Sequence, residues 1–130
     1  MFNLEVIATC RVQGIHCWAS QPGDAPRNYL SYPHRHEFHI EVRVKVSHED
    51  RDIEILQLKQ DVISSIAEDY PVANEKAVPI PAHMARVTDF KDSSCEMIAS
   101  KLIETLGTFH YDVKSVKVLE DGENGAVLSV

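Results

Sequence analysis

The sequence predicts an α+β fold in the order β-β-α-α-β-β, a four-stranded, mostly antiparallel sheet carrying two helices on one face. Three observations predict it. The N-terminal third alternates apolar and polar residues with period two. The middle switches to apolar spacing of three to four. The end returns to short alternating runs around a turn-rich pentapeptide.

Residues 2–12 place Phe2, Leu4, Val6, Ala8, Cys10 and Val12 on one parity, the signature of a half-buried strand. Residues 37–46 alternate more cleanly, with Phe38, Ile40, Val42, Val44 and Val46 on one face and Glu37, His39, Glu41, Arg43 and Lys45 on the other. A polar loop rich in Pro, Gly and Asn joins the two; a loop that long in a compact domain is usually functional or mobile. Over 52–68, Ile55, Leu58, Val62 and Ile66 recur at helical spacing, with Leu56 and Ile63 widening the stripe. Residues 69–92, with Pro71, Pro79 and Pro81, read as loop. Ser93-Ser94-Cys95-Glu96 fits a capping box, with Ser93 as N-cap and Glu96 reaching back. Met97, Ile98, Leu102, Thr105 and Leu106 form the apolar side of this second helix, and Gly107 stops it. Residues 111–119 and 126–130 read as strands, joined by the hairpin loop Asp121-Gly122-Glu123-Asn124-Gly125. Four short strands leave two unprotected edges, which favours closure into a larger barrel by oligomerisation.

The chain has 130 residues, 44% hydrophobic and 25% charged, enough for one domain over 1–130 and not for two. No run approaches the roughly 20 apolar residues that span a bilayer, so no membrane partner is expected. The start, Met1-Phe2-Asn3-Leu4-Glu5, lacks the basic and apolar regions of a signal peptide. Three cysteines without a CxxC suggest neither a disulfide framework nor a thiolate zinc site, and fit a cytoplasmic setting. A net charge of −7 argues against nucleic acid as partner, because phosphate binding needs a basic face.

Histidine is the unusual residue. His34 and His36 are two apart and share the parity of Phe38 and Ile40. His16 shares the parity of Val12 and Gly14 if the first strand continues that far. Three imidazoles then converge from two neighbouring strands on the inner side of the sheet, and His39 faces away. Three neutral histidines with a fourth tetrahedral position open is the arrangement of a catalytic zinc. The alternative is a set of partly buried, hydrogen-bonded histidines near a strand end.

At this point the chain resembles the 6-pyruvoyl- and 6-carboxy-tetrahydropterin synthases, the T-fold (tunnelling fold) enzymes of pterin and queuosine-precursor biosynthesis. Nearly the whole chain takes part. The family's FSAAH-like segment corresponds to Val12–His16, its HGHNY-like motif to His34-Arg35-His36-Glu37-Phe38, and its DF-x-DLK-like helix start to Glu54–Lys59. Its LDH-x-x-LNE-like segment is similar to Glu68–Glu75, its PTxEN-like cap to Ser93–Met97, and its V-x-V-x-E strand to Val116–Glu120. The resemblance implies a Zn2+ ion on His16, His34 and His36, acting as a Lewis acid on the side-chain oxygens of a pterin. It implies that Glu120 anchors the pterin ring through paired hydrogen bonds, with Ser94 and Glu96 beside it. It also implies a T-fold barrel, formed by a trimer or a hexamer.

The chain departs from that family at the proton-transfer groups. The segment Arg27–Pro33 ahead of the HxH pair holds no cysteine, and of the family's Asp-His pair Asp69 remains while Tyr70 stands in the histidine position. A tyrosine with a reference pKa near ~10 is a poor base at neutral pH. Cys17, next to a ligand histidine, and His83, in the longer second loop, are the substitutes available. The expectation is therefore a zinc-dependent lyase of the tetrahydropterin synthase type, acting on dihydroneopterin triphosphate or a related pterin. The alternatives are a zinc- and pterin- or purine-binding T-fold protein without that turnover, and an oligomeric barrel whose histidines only fill its interior.

Overall fold

The computed structural model describes residues 3–19, 28–73 and 86–130. Its elements, in chain order, are β1 (Leu4–His16), a short 3-10 turn (Asn28–Ser31), β2 (His34–Val46), α1 (Ile55–Asp69), β3 (Val87–Asp89), α2 (Cys95–Gly107), β4 (Val113–Glu120) and β5 (Asn124–Ser129). They build one five-stranded sheet in the order β3-β1-β2-β4-β5. β1–β2, β2–β4 and β4–β5 pair antiparallel, and β3 runs parallel to β1.

The expected four-stranded antiparallel sheet is thus corrected to a five-stranded mixed one. The added strand lies inside the stretch read as loop, because three residues are too few to show a period. It pairs with Gln13–Ile15, and Thr88 also bridges to Val72. β1 and β2 both run longer than their alternation suggested. The register matches Leu4 with Val46 at one end and His16 with His34 at the other, so each strand's extension satisfies the backbone of its partner.

Both helices begin where a side chain takes up orphan amide groups. Glu54 caps α1, its carboxylate accepting from the amides of Leu56 and Gln57 at 3.0 and 2.6 Å. The helix starts at Ile55 rather than 52 because Asp52 is engaged elsewhere, accepting from Ser47 N and Oγ at 2.7 and 2.9 Å. It ends at Asp69; Tyr70, which precedes Pro71, is already extended. α2 is capped by Ser94, not by Ser93: Ser94 Oγ accepts from Met97 N at 3.2 Å. That moves Glu96 to the second helical position, so the reciprocal box with Ser93 does not form. Ser93 is left with a free carbonyl, which the site uses.

The core lies between the helices and one face of the sheet. Phe38, Ile40, Val42 and Val44 of β2, Val116 and Val118 of β4, Leu58, Val62 and Ile66 of α1, and Ile98, Leu102 and Leu106 of α2 are all buried. Each such side chain contributes roughly 1.5–3 kcal/mol by leaving water. The stripe on α1 is narrower than its sequence suggested, since Ile55, Leu56 and Ile63 are exposed. The helices are tied directly by Thr105 Oγ1, which donates to Asp69 Oδ2 at 2.7 Å. Phe90, just after β3, is fully buried against Phe38 and Tyr70, with ring centroids 4.8 Å away in both cases. Gly14 makes this possible. A Cβ there would stand 2.6 Å from Phe90 and 2.9 Å from Phe38.

Candidate metal centre

The antiparallel register places His16 directly opposite His34, and Gly14 opposite His36. With His34 and His36 two residues apart on the same face, three imidazoles gather at one end of the sheet. Their ring centroids are 4.6 Å (His16–His34), 5.2 Å (His16–His36) and 5.0 Å (His34–His36) apart. One ligand nitrogen from each lies within 4.8 Å of the others.

Each ring is held from behind through its Nδ1. His16 Nδ1 donates to the Ser93 carbonyl at 2.9 Å, His34 Nδ1 to the Tyr32 carbonyl at 2.9 Å, and His36 Nδ1 to Asp121 Oδ2 at 2.7 Å. Carbonyl and carboxylate oxygens only accept, so Nδ1 carries a proton in all three rings, and in the neutral ring Nε2 presents a lone pair. Burial pushes the His16 pKa down, opposed by the Ser93 hydrogen bond and by Glu120, so the ring is held neutral. His16 Nε2 is buried and has no hydrogen-bond partner among the described residues. An orphaned, buried lone pair facing two further imidazoles fits a divalent cation, and neutral imidazole nitrogens are ligands that zinc takes readily.

Asp121 was not among the residues singled out from sequence. It follows β4 in the left-handed region, at φ 55°, and is fixed to β2 on both sides. Its Oδ1 accepts from Glu37 N at 2.9 Å and its own amide donates to Glu37 O at 2.7 Å. The hydrogen bond from His36, followed by that from Glu37, holds its carboxyl below the ordinary carboxylate range. Glu120, its neighbour, turns to the other side of the same ring. Glu120 Oε2 lies 3.5 Å from His36 Nε2, and Oε1 lies 3.3 Å from His16 Nε2.

An open cleft of about 530 Å³, within the size range of small-molecule sites, is lined by two of the three rings, His16 and His34. His16, His34 and Glu120 form one wall, Trp18 and Leu30 another, and the first turn of α2 the third. Cys17 lines it, and its backbone amide donates to the Lys91 carbonyl at 2.8 Å. Ser94 and Glu96 line it too, Ser94 while capping α2. Cys95 is a lining thiol the sequence reading did not include; burial, with Glu120 and Glu96 adding to it, pushes its pKa up to about 12.

Asp69 and Tyr70 are not among the residues lining this cleft. Asp69 joins the two helices through Thr105. Tyr70 packs on Phe90, and burial raises its pKa, so the phenol stays protonated at neutral pH. His83 lies outside the described residues.

The opposite face of the sheet carries a second cleft, of about 510 Å³, bordered by Arg11, His39, Glu41 and Lys117. On this face His39 Nε2 lies 2.8 Å from Glu37 Oε1, and Lys117 Nζ lies 3.7 Å from Glu41, which also receives Arg43 at 3.2 Å. His39 therefore points away from the three imidazoles, as its parity predicts.

By sequence, neither a protein-family model nor a curated protein matches the chain. By structure, it is similar to the 6-pyruvoyl tetrahydropterin synthase of Caenorhabditis elegans, with a TM-score of 0.65 and 12% identity over 100% of this chain and 97% of that one. It is similar as well to an uncharacterized protein of Wolinella succinogenes, with a TM-score of 0.62 and 16% identity over 99% of both chains. The fold is therefore a T-fold of the 6-pyruvoyl tetrahydropterin synthase kind. Among the described residues no helix is long and apolar enough to cross a membrane.

Proposed function

We propose that this chain holds a zinc ion on His16, His34 and His36 and binds a pterin in the adjoining cleft, where it promotes a lyase reaction of the tetrahydropterin synthase type. The observation that carries the reading is the gathering of three imidazoles, one ligand nitrogen of each within 4.8 Å of the others and each ring fixed by an acceptor at Nδ1. Zinc bound there would supply Lewis acidity toward a substrate oxygen, making the neighbouring C–H more acidic. The rest falls to the chain's own groups. Ser93, Tyr32 and Asp121 fix the ligand rings. Glu120, at the cleft wall, offers two carboxylate oxygens to adjacent N–H donors of a heterocycle. Cys17, which lines the same cleft, is the side chain this reading assigns to moving a proton. The T-fold resemblance also supports a homo-oligomer closed through sheet edges; β5 is an edge strand with Val127 and Leu128 exposed.

A second reading is favoured by one observation. Asp69 and Tyr70, at the positions of the family's relay pair, are spent on helix contact and on packing. In that reading the protein binds zinc and a pterin- or purine-like ring without turnover. One experiment separates the two: zinc-loaded protein is incubated with dihydroneopterin triphosphate, with binding followed by calorimetry and products by mass spectrometry. Loss of triphosphate from the substrate supports the lyase. Binding with intact substrate supports the second reading. A protein that retains no added zinc and binds no pterin or purine overturns both.

A further inference from the structure

We propose that Glu120 is a fourth, displaceable ligand of the metal held by His16, His34 and His36, so that the resting site is closed and an entering ligand opens it by drawing the carboxylate away. The inference rests on the reading that the three imidazoles hold a metal.

Distance is the first argument. Glu120 Oε1 lies 3.3 Å from His16 Nε2 and Oε2 lies 3.5 Å from His36 Nε2. Zinc bonds of ~2.0–2.2 Å to nitrogen and oxygen, opened at a tetrahedral angle, put neighbouring donor atoms about 3.4 Å apart. The two measured separations fall on either side of that value.

Chemistry is the second. Both rings have their proton on Nδ1, toward Ser93 and Asp121, so Nε2 meets the carboxylate with a lone pair. Among the described residues His16 Nε2 has no hydrogen-bond partner, even with Glu120 this close. In the neutral rings electron-pair donors thus face electron-pair donors, an arrangement that a cation between them relieves. Three neutral imidazoles also leave a divalent charge uncompensated in a site where His16 is 8% exposed, and one carboxylate halves that charge.

Chain geometry is the third. Asp121 holds Nδ1 of His36 at 2.7 Å while Glu120, the preceding residue, approaches Nε2 of the same ring. Consecutive residues at the end of β4 thus grip one imidazole at both nitrogens, and the clamp that orients the ring also aims the fourth donor. Glu120 is part of the cleft wall and its side chain is 31% exposed, so it can rotate toward N–H donors in the cleft without disturbing the core.

The test uses the full chain and two probes, Zn2+ and azide. Zn2+ affinity is measured by competition with a chromophoric chelator for wild type, E120Q, E120A and H34A. Azide is titrated into the Co2+-loaded forms and followed by the visible cobalt spectrum. The expected result is Zn2+ affinity about 10- to 100-fold weaker in E120Q and E120A, with azide binding at least about tenfold tighter than in wild type. H34A should lose at least as much Zn2+ affinity. If E120A and E120Q match wild type within twofold in both titrations while H34A loses Zn2+, Glu120 is not a ligand and the three-histidine reading stands. If wild type itself fails to bind Zn2+, that reading falls and the inference with it.

Discussion

The inward face of β2 changes character partway along. From Phe38 to Val46 it presents apolar side chains, all buried beneath α1 and α2. At His34 and His36 the same strand, on the same parity, presents imidazoles, and His34 lines a cleft beside the first turn of α2. Phe38 marks the border, its ring centroid 5.2 Å from that of His16, 5.8 Å from His36 and 4.8 Å from Phe90. What differs between the halves is how fully each group is satisfied. Every apolar residue in the first is stabilised by its neighbours. Each imidazole in the second has its Nδ1 bonded, while the buried Nε2 of His16 has no hydrogen-bond partner among the described residues. A half-satisfied polar cluster costs stability rather than supplying it, which points to a role other than packing.

The largest expected effect therefore belongs to the border residue. Phe38→Ala should destabilise the metal-free protein by about 3–5 kcal/mol in urea denaturation, because the cavity opens under Phe90 in a closed core. His34→Ala should do the reverse. It should reduce Zn2+ affinity by at least about 100-fold, since a ligand is lost where even outer-shell changes cost ~10- to 100-fold. The metal-free stability should shift by about 1 kcal/mol or less, because the hydrogen bond removed among the described residues is the exposed one to Tyr32. If His34→Ala destabilised the metal-free protein as much as Phe38→Ala, the imidazoles would be core filler and the comparison would collapse.

The two halves were not equally legible in the sequence. Alternation along 37–46 shows the apolar half directly, and parity alone puts His34 and His36 on its face. For His16 the sequence carries less, since Gln13-Gly14-Ile15 shows no clear alternation. The strand persists there because β2 and β3 satisfy its backbone from both sides. The supports behind the rings were out of reach. Asp121 is 85 residues from His36 and reads as an ordinary turn residue before glycine. The Ser93 carbonyl is backbone, which no residue type announces. The cap of α2 fell one residue away because adjacent serines are equally able to cap, and the Ser93 side chain is instead hydrogen-bonded to Tyr70. Cys95 was hidden by its own burial at the start of an amphipathic helix.

A smaller effect should link the halves. Gly14 lies opposite His36 in the register, and the Phe90 and Phe38 rings occupy the space a Cβ would need. Gly14→Ala should cost about 1–3 kcal/mol of metal-free stability through overpacking. Because Phe38 lies edge-on to His16 and His36, Zn2+ affinity should fall with it. A Gly14→Ala protein with an unchanged urea midpoint would mean that the aromatic layer yields freely and transmits nothing to the rings.

The smallest expected change is also the most selective. Asp121 uses both carboxylate oxygens, one for the Glu37 amide and one for His36 Nδ1, and both partners are donors. Asp121→Asn keeps the shape but leaves one acceptor oxygen for two donors. If that oxygen stays with Glu37, the amide NH₂ faces Nδ1 and favours the tautomer protonated on Nε2, which removes a lone pair from the metal side. If the amide flips, the Glu37 N–H meets a donor and the turn loosens. Either way Zn2+ affinity should fall about tenfold, near 1.4 kcal/mol. Chelator competition reads this directly, and the imidazole signals of an NMR spectrum should show the tautomer of His36 changing while those of His16 and His34 hold. Unchanged affinity together with an unchanged tautomer would mean that the turn, rather than the carboxylate, orients the ring, and the outer support of the metal half would then rest on backbone carbonyls alone.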